Sequence, residues 1–381
     1  MKSLRTFVFW CHLAVGSTAA TVVAIMASTG VLLTYQKQMT AWADRRAVNA
    51  KPPVIGATPL GVEELLQRVA HSAAAMPTAI TFRSRPDAPA EVSFGRDRRE
   101  LVNVYTGARL GEGATGMRTF FRVVTAWHRT LGATGTNRTV TRPITDAANF
   151  GFLFLVLSGV FLWWPRNWTR SALRNVTFFR RGLSGKPRDF NWHNTAGFWS
   201  ALPLVVIVAS GVVMSYRWAN DLAYRAAGDT PPAQTAAASR GDQPRGAERA
   251  PSIAGLNPAF AAAEQRVPEW TIITAQLPAE SDQNISFSLD AGTGGQPQLR
   301  SQLVLDRATA REVRFEPFSS QSPGRRVRTI FRFAHTGEVL GMTGQTIAGL
   351  ASLGAVVLTC TGFALVIRRL TGWLTRRRKA A

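Results

Sequence analysis

Cysteine, tyrosine and histidine are scarce in this chain of 381 residues, at 2, 4 and 5 copies. Both cysteines, Cys11 and Cys360, lie in apolar runs, which excludes a disulfide framework. No Cys-x-x-Cys-His occurs, so no prosthetic group is tethered through thioethers. No Gly-x-Gly-x-x-Gly follows a strand pattern, which argues against a built-in nicotinamide or flavin domain. Acidic residues number 23 against 45 basic ones. The long apolar runs hold no acid at all, so a carboxylate proton relay through them is not expected.

What is present is length of apolar sequence. Residues 7–35, 147–165, 194–216 and 345–367 each approach or exceed the ~20 residues that cross a hydrocarbon core. The first run follows Lys2 and Arg5. It is about twice as long as a signal-peptide core, so it is expected to stay as an anchor. Segments 1–6, 166–192 and the tail from Arg368 hold two, seven and six basic residues, with Asp189 the one acid among them. This bias assigns both termini and the 166–192 loop to the cytoplasm and segments 36–146 and 217–344 to the outside. Contact of these basic segments with membrane lipid explains most of the +22 charge, and no nucleic-acid partner is expected.

The chain reads as an internal duplication. His12 precedes Gly30 by 18 residues and Tyr35 by 23; His193 precedes Gly211 and Tyr216 by the same intervals. Each outer segment carries a helix pattern, "GVEELLQRVAHSAA" or "NPAFAAAEQRV", followed by three strand patterns, which suits a small α+β module. "GDTPPAQTAAASRGDQPRGAERAPS", residues 228–252, reads as a flexible linker. Each module is followed by a short amphipathic helix bearing a histidine: "RTFFRVVTAWHRTLG" with His128, then "RTIFRFAHTGEVLG" with His335. Arginines border both apolar stripes (Arg118, Arg122 and Arg129; Arg325, Arg328 and Arg332), so these helices are expected at the outer interface. The expected class is a membrane protein with four transmembrane α-helices in a duplicated arrangement and two small α+β modules.

Four of the five histidines therefore occupy repeat-equivalent positions, and only His71 has no counterpart. A lone intramembrane histidine is more often a hydrogen-bonded core residue. Two matched pairs favour function, and pseudo-two-fold symmetry pairs His12 with His193 and His128 with His335. Facing neutral imidazoles from separate helices are the axial set of a six-coordinate b-type haem. Zinc fits less well, because each pair offers two ligands and tetrahedral zinc takes four. Small residues beside the inner pair (Gly16, Ala19, Ala20, Ala196 and Gly197) leave room for a flat macrocycle. Trp10, Trp127 and Trp192 suit either its edges or the lipid interface, and the outer arginines suit haem propionates or lipid headgroups equally.

The motifs "WHNTAGF" at 192–198, "WHRTLG" at 127–132, "HTGEVLGMTGQ" at 335–345 and "VYTGARLG" at 104–111 resemble the PepSY-associated transmembrane family over nearly the whole chain. The resemblance implies two PepSY-like periplasmic modules and haem ligation by His12, His193, His128 and His335. It also implies an inner-membrane ferric-siderophore reductase, of the bis-haem ferrioxamine-reductase type. Two haem b groups would pass electrons from a quinol or a cytoplasmic reductase to a ferric hydroxamate siderophore, releasing iron(II). The competing expectation is a membrane-anchored PepSY regulator, a peptidase inhibitor or an assembly factor without catalysis. The expected boundaries are 1–35 for the N-terminus and first span, 36–114 for the first module and 115–165 for the interfacial helix and second span. They continue with 166–192 for the cytoplasmic loop, 193–217 for the third span and 218–322 for the linker and second module. The last are 323–367 for the second interfacial helix and fourth span, and 368–381 for the basic tail.

Overall fold

The computed structural model describes residues 2–48, 50–54, 56–72, 76–95, 98–164, 169–232 and 252–380. Most of the expected linker, 233–251, lies outside the described residues. In chain order the helices are α1 (Lys2–Leu33), α2 (Gln36–Ala47), α3 (Val62–Ser72), α4 (Thr115–Thr130), α5 (Arg138–Trp163) and α6 (Arg170–Thr177). They continue as α7 (Gly185–Ser215), α8 (Arg217–Ala226), α9 (Leu256–Arg266), α10 (Pro323–His335) and α11 (Gly341–Ala380). The strands are β1 (Ala79–Arg83), β2 (Ala90–Phe94), β3 (Arg98–Val102), β4 (Ile272–Gln276), β5 (Asn284–Asp290), β6 (Arg300–Asp306) and β7 (Glu312–Pro317). The chain forms two compact units, one of Met1–Gln36, Phe120–Ala223 and Ile330–Ala381, the other of Lys37–Thr119 and Tyr224–Thr329.

In the first unit, α1, α5, α7 and α11 are long and apolar enough to cross a membrane. Both α1 and α7 pack on α5 and α11, so α1 and α7 lie across a four-helix bundle from each other. Small residues let the helices close, as membrane bundles require. A Cβ on Gly151 would meet Val15 at 3.3 Å, and one on Gly197 would meet Leu358 at 3.5 Å. The seam holds Ala27, Val156, Leu204, Ala351 and Ala355. Large apolar side chains face outward instead, with Leu202 77% and Leu350 64% exposed, as lipid-facing positions demand.

The three basic segments meet at one end of this bundle. Arg5 donates to the carbonyls of Leu162 and Trp164, capping the C-terminus of α5. Asp189, buried despite its charge, accepts from Arg188 at 2.8 Å and from Arg368 at 2.9 Å. The one acid among these segments is thus the clamp that ties the start of α7 to α11. The helices also outrun the apolar windows. Because α5 begins at Arg138, Asp146 lies inside a spanning helix, against the expectation of no carboxylate there. It is tolerated because Ser215 Oγ donates to it at 2.5 Å and Arg142 lies 3.8 Å away.

In the second unit, one seven-stranded antiparallel sheet runs β3-β2-β1-β4-β5-β6-β7. Two separate three-stranded modules were expected. The two segments instead pair along β1 and β4, with Ile80 opposite Ala275 and Thr81 opposite Thr274. Joining them removes two exposed edges, which separate modules would leave open. The run "QLVLDRATAREVRF" is a hairpin and not one strand: Asp306 Oδ1 accepts from Thr309 N–H at 2.8 Å, and Ala310 takes φ 53° to close the turn. Leu65, Leu66 and Val69 of α3 and Leu256, Ala259 and Ala263 of α9 join one core with Ile80, Val92, Ile273, Phe287 and Leu303. The opposite face is polar across the β1–β4 seam, where Thr81 and Thr274 hydroxyls lie 2.9 Å apart. His71 is exposed on α3, its Nδ1 bonded to Gln67 O at 3.0 Å within the helix.

A Thr81→Cys/Thr274→Cys double variant tests the joined sheet. Directly opposite antiparallel residues have Cα atoms about 4.5–5.5 Å apart, within disulfide range. Mild oxidation should give an intrachain 81–274 cross-link, detected by mass spectrometry of the digested protein, whereas separate modules would give none.

Candidate functional site

Each of the four matched histidines is held from behind by a hydroxyl in the spanning bundle. His12 of α1 lies 2.8 Å from Ser158 Oγ of α5, and His193 of α7 lies 3.0 Å from Thr361 Oγ1 of α11, both through Nδ1. His128, near the end of α4, meets Met26 O and Thr29 Oγ1 of α1, each at 3.0 Å. His335, the last residue of α10, meets Ile207 O at 2.8 Å and Ser210 Oγ at 3.3 Å on α7.

These hydroxyls decide the tautomer. Ser158 Oγ donates to Phe154 O at 2.6 Å, Thr361 Oγ1 to Val357 O at 2.6 Å, Thr29 Oγ1 to Ile25 O at 2.6 Å and Ser210 Oγ to Ile207 O at 2.7 Å. A hydroxyl has one proton, so an oxygen that gives it to its own helix carbonyl accepts from the imidazole. Met26 O and Ile207 O are carbonyls and accept in any case. All four rings therefore carry their proton on Nδ1 and present the Nε2 lone pair, as a metal-binding histidine does. Burial pushes the His128 imidazole down to about 4, with His335 beside it adding to the shift, so His128 is neutral at pH 7. Burial lowers His335 as well.

The outer rings come together as the pair that symmetry suggested. His128 and His335 have ring centres 6.3 Å apart with planes at 67°. Two imidazoles bound to one metal from opposite sides, at about 2 Å per metal–nitrogen bond, have centres about 6 Å apart. His12 lies within electrostatic reach of His193 at the other level of the bundle. Among the described residues, no three His, Cys, Asp or Glu side chains converge, so the donor sets are pairs of neutral nitrogens. That set fits the axial positions of a b-type haem, which supplies the remaining four nitrogens itself, and does not complete a tetrahedral zinc site.

Other expected contacts resolve differently. Gly16 faces Leu155 and Gly197 faces Leu358, so these two glycines serve helix packing. Trp10 is 52% exposed and stacks under Arg369, whose guanidinium lies 4.6 Å from its ring centre. Trp192 packs edge-on against Phe179 at 5.8 Å. Trp127 lines a cavity of about 310 Å³ with Ala24, Ile25, Ser28 and Thr29, beside the anchor of His128. Arg118 is neutralised by Asp44 and donates to Glu112 O, which leaves it poorly suited to a propionate.

The four hydroxyls were missed in the sequence, yet they left a signal. Thr29, Ser158, Ser210 and Thr361 are each followed by glycine, and Thr29 and Ser210 each lie 17 residues after His12 and His193. The glycines allow the rings to close: a Cβ on Gly159 would sit 3.6 Å from His12 Cε1, and one on Gly362 would sit 3.4 Å from His193 Cε1.

The chain belongs to the PepSY-associated TM family: the family described as "PepSY-associated TM region" matches residues 9–369. With four apolar helices, it is a multi-pass membrane protein. No curated protein matches the chain.

His335 is set by the turn that follows it, where Gly337 and Gly341 take φ 72° and 63° and Gly344 packs on the Gly337 carbonyl. A Cβ on Gly344 would run into that carbonyl, so Gly344→Ala should destabilise the protein by about 1–3 kcal/mol. Gly116→Ala, in α4 with nothing within 4 Å, should be neutral or stabilising by up to about 1 kcal/mol. Thermal unfolding in detergent checks both.

Proposed function

We propose that the chain is a transmembrane haem protein of the bacterial inner membrane that carries electrons outward to a periplasmic ferric siderophore. The observation that carries this reading is the common state of four matched histidines, with Nδ1 committed to a backing acceptor and Nε2 free, and with the outer two rings 6.3 Å apart. Haem b held by His12 and His193, and by His128 and His335, would supply one-electron carriage at two levels. The duplication supports the same pairing, since His12 to Thr29 and His193 to Ser210 are equal intervals. Seventeen residues at ~1.5 Å each separate the two levels by about 26 Å along α1 and α7.

The protein's part is to fix these imidazoles and keep their surroundings apolar. The donor is a separate quinol or cytoplasmic reductase, which gives up one electron at the inner level. At the outer level that electron reduces iron(III) in a hydroxamate chelate to iron(II), which such chelators hold weakly. The basic end of the bundle supports a cytoplasmic location for both termini. Outward electron flow then runs from the negative to the positive side, and the membrane potential assists it by about 2.3 kcal/mol per 100 mV.

Three measurements test this reading. Reporter fusions after Arg181 and at the C-terminus should mark the cytoplasm and a fusion after Asp229 the periplasm; the reverse would overturn the orientation. The purified protein should be coloured and release about two non-covalent haems per chain. His12→Ala and His193→Ala should damage one haem, His128→Ala and His335→Ala the other, and His71→Ala neither. Pre-reduced protein should be reoxidised by a ferric hydroxamate with release of iron(II), and loss of the outer pair should abolish this while the inner haem stays reducible. A colourless, folded preparation would favour the PepSY regulator.

A further inference from the structure

The imidazoles of the two pairs are backed in different ways. At the inner pair His12 Nδ1 meets one hydroxyl, Ser158 Oγ at 2.8 Å, whereas His193 has both Thr361 Oγ1, at 3.0 Å, and the backbone of Leu358 behind it. At the outer pair each meets a backbone carbonyl as well as a hydroxyl: Met26 O with Thr29, and Ile207 O with Ser210. Substitution can remove a hydroxyl but leaves a carbonyl in place.

An acceptor on Nδ1–H draws the proton away from the ring and makes Nε2 a stronger donor. A stronger nitrogen donor favours iron(III) over iron(II), and so lowers the reduction potential of the metal it binds. Each of the inner hydroxyls is itself polarised by donating to a carbonyl one turn back, which strengthens it as an acceptor. Resting on the haem reading above, we propose that Ser158 is a positioning residue that sets the tautomer and donor strength of the inner His12 imidazole. The outer site, with two acceptors behind each ring, is then the more reducing of the two. The stronger reductant would stand at the level from which the ferric chelate is reduced.

Optical redox titration of the detergent-purified holoprotein tests this, with the two components assigned through the single histidine variants. Ser158→Ala should raise the inner potential and leave the outer one unmoved, and Thr361→Val should raise it much less, because the Leu358 backbone still backs His193. Thr29→Val and Ser210→Ala should shift the outer potential much less, because Met26 O and Ile207 O still accept. Ser158→Thr and Thr361→Ser should restore wild-type values. Loss of the inner haem in Ser158→Ala, with retention in Ser158→Thr, supports the same assignment. Two bound haems with an inner potential indifferent to Ser158, or an outer site less reducing than the inner, would overturn this proposal alone. A chain that binds no haem would overturn the functional reading with it.

Discussion

A hydroxyl inside an apolar helix gives its only proton to the carbonyl one turn back and is left with lone pairs and nothing else to offer. In this protein that constraint recurs at Thr29, Ser158, Ser210 and Thr361, and each time an imidazole Nδ1 takes up the lone pair. A neutral imidazole so held must show Nε2 to the space in front of it. The chemistry open to the bundle follows from that single preference, and so does the poor fit of a proton relay, which needs rings free to exchange both nitrogens.

The bundle distributes these parts economically. α1 and α7 each carry an inner histidine and, 17 residues on, the anchor of an outer one. α5 and α11 carry the hydroxyls that hold the inner rings. The correspondence reaches the packing: a Cβ on Gly30 would lie 3.4 Å from Ser352 Oγ and one on Gly211 2.8 Å from Asn149 Nδ2, and Ser352 and Asn149 stand 9 residues before Thr361 and Ser158 respectively. The two differ in their bonds: Asn149 donates from a buried position to Val208 O on α7, whereas Ser352 donates to Ala348 O within α11.

Much of this was legible in the sequence because hydrophobic run length and histidine scarcity are strong signals. Four spans, two amphipathic helices and the candidate residues His12, His128, His193 and His335 come from those signals alone. The joined sheet was not legible: β1 and β4 each read as a half-buried strand, and nothing in either pattern tells which strand lies beside it. The β6–β7 turn escaped because Asp-Arg-Ala-Thr-Ala has neither glycine nor proline, and closes on the Asp306 side chain instead. Asp146 escaped because the apolar window ends before the helix does, and Asp189 was legible as a lone acid but not as a clamp. The hydroxyl anchors escaped because serine and threonine are ordinary in membrane helices, and only their register with the histidines sets these four apart.

Two pairs of imidazoles each holding one haem iron through Nε2, as proposed, would leave a distinct magnetic signature. Electron paramagnetic resonance of the oxidised, purified protein reads it. Bis-imidazole ligation at both levels requires two low-spin ferric signals of equal weight, integrating to about two spins per chain, with no high-spin component. A single signal, a dominant high-spin species, or a protein with no ferric signal at all would contradict it.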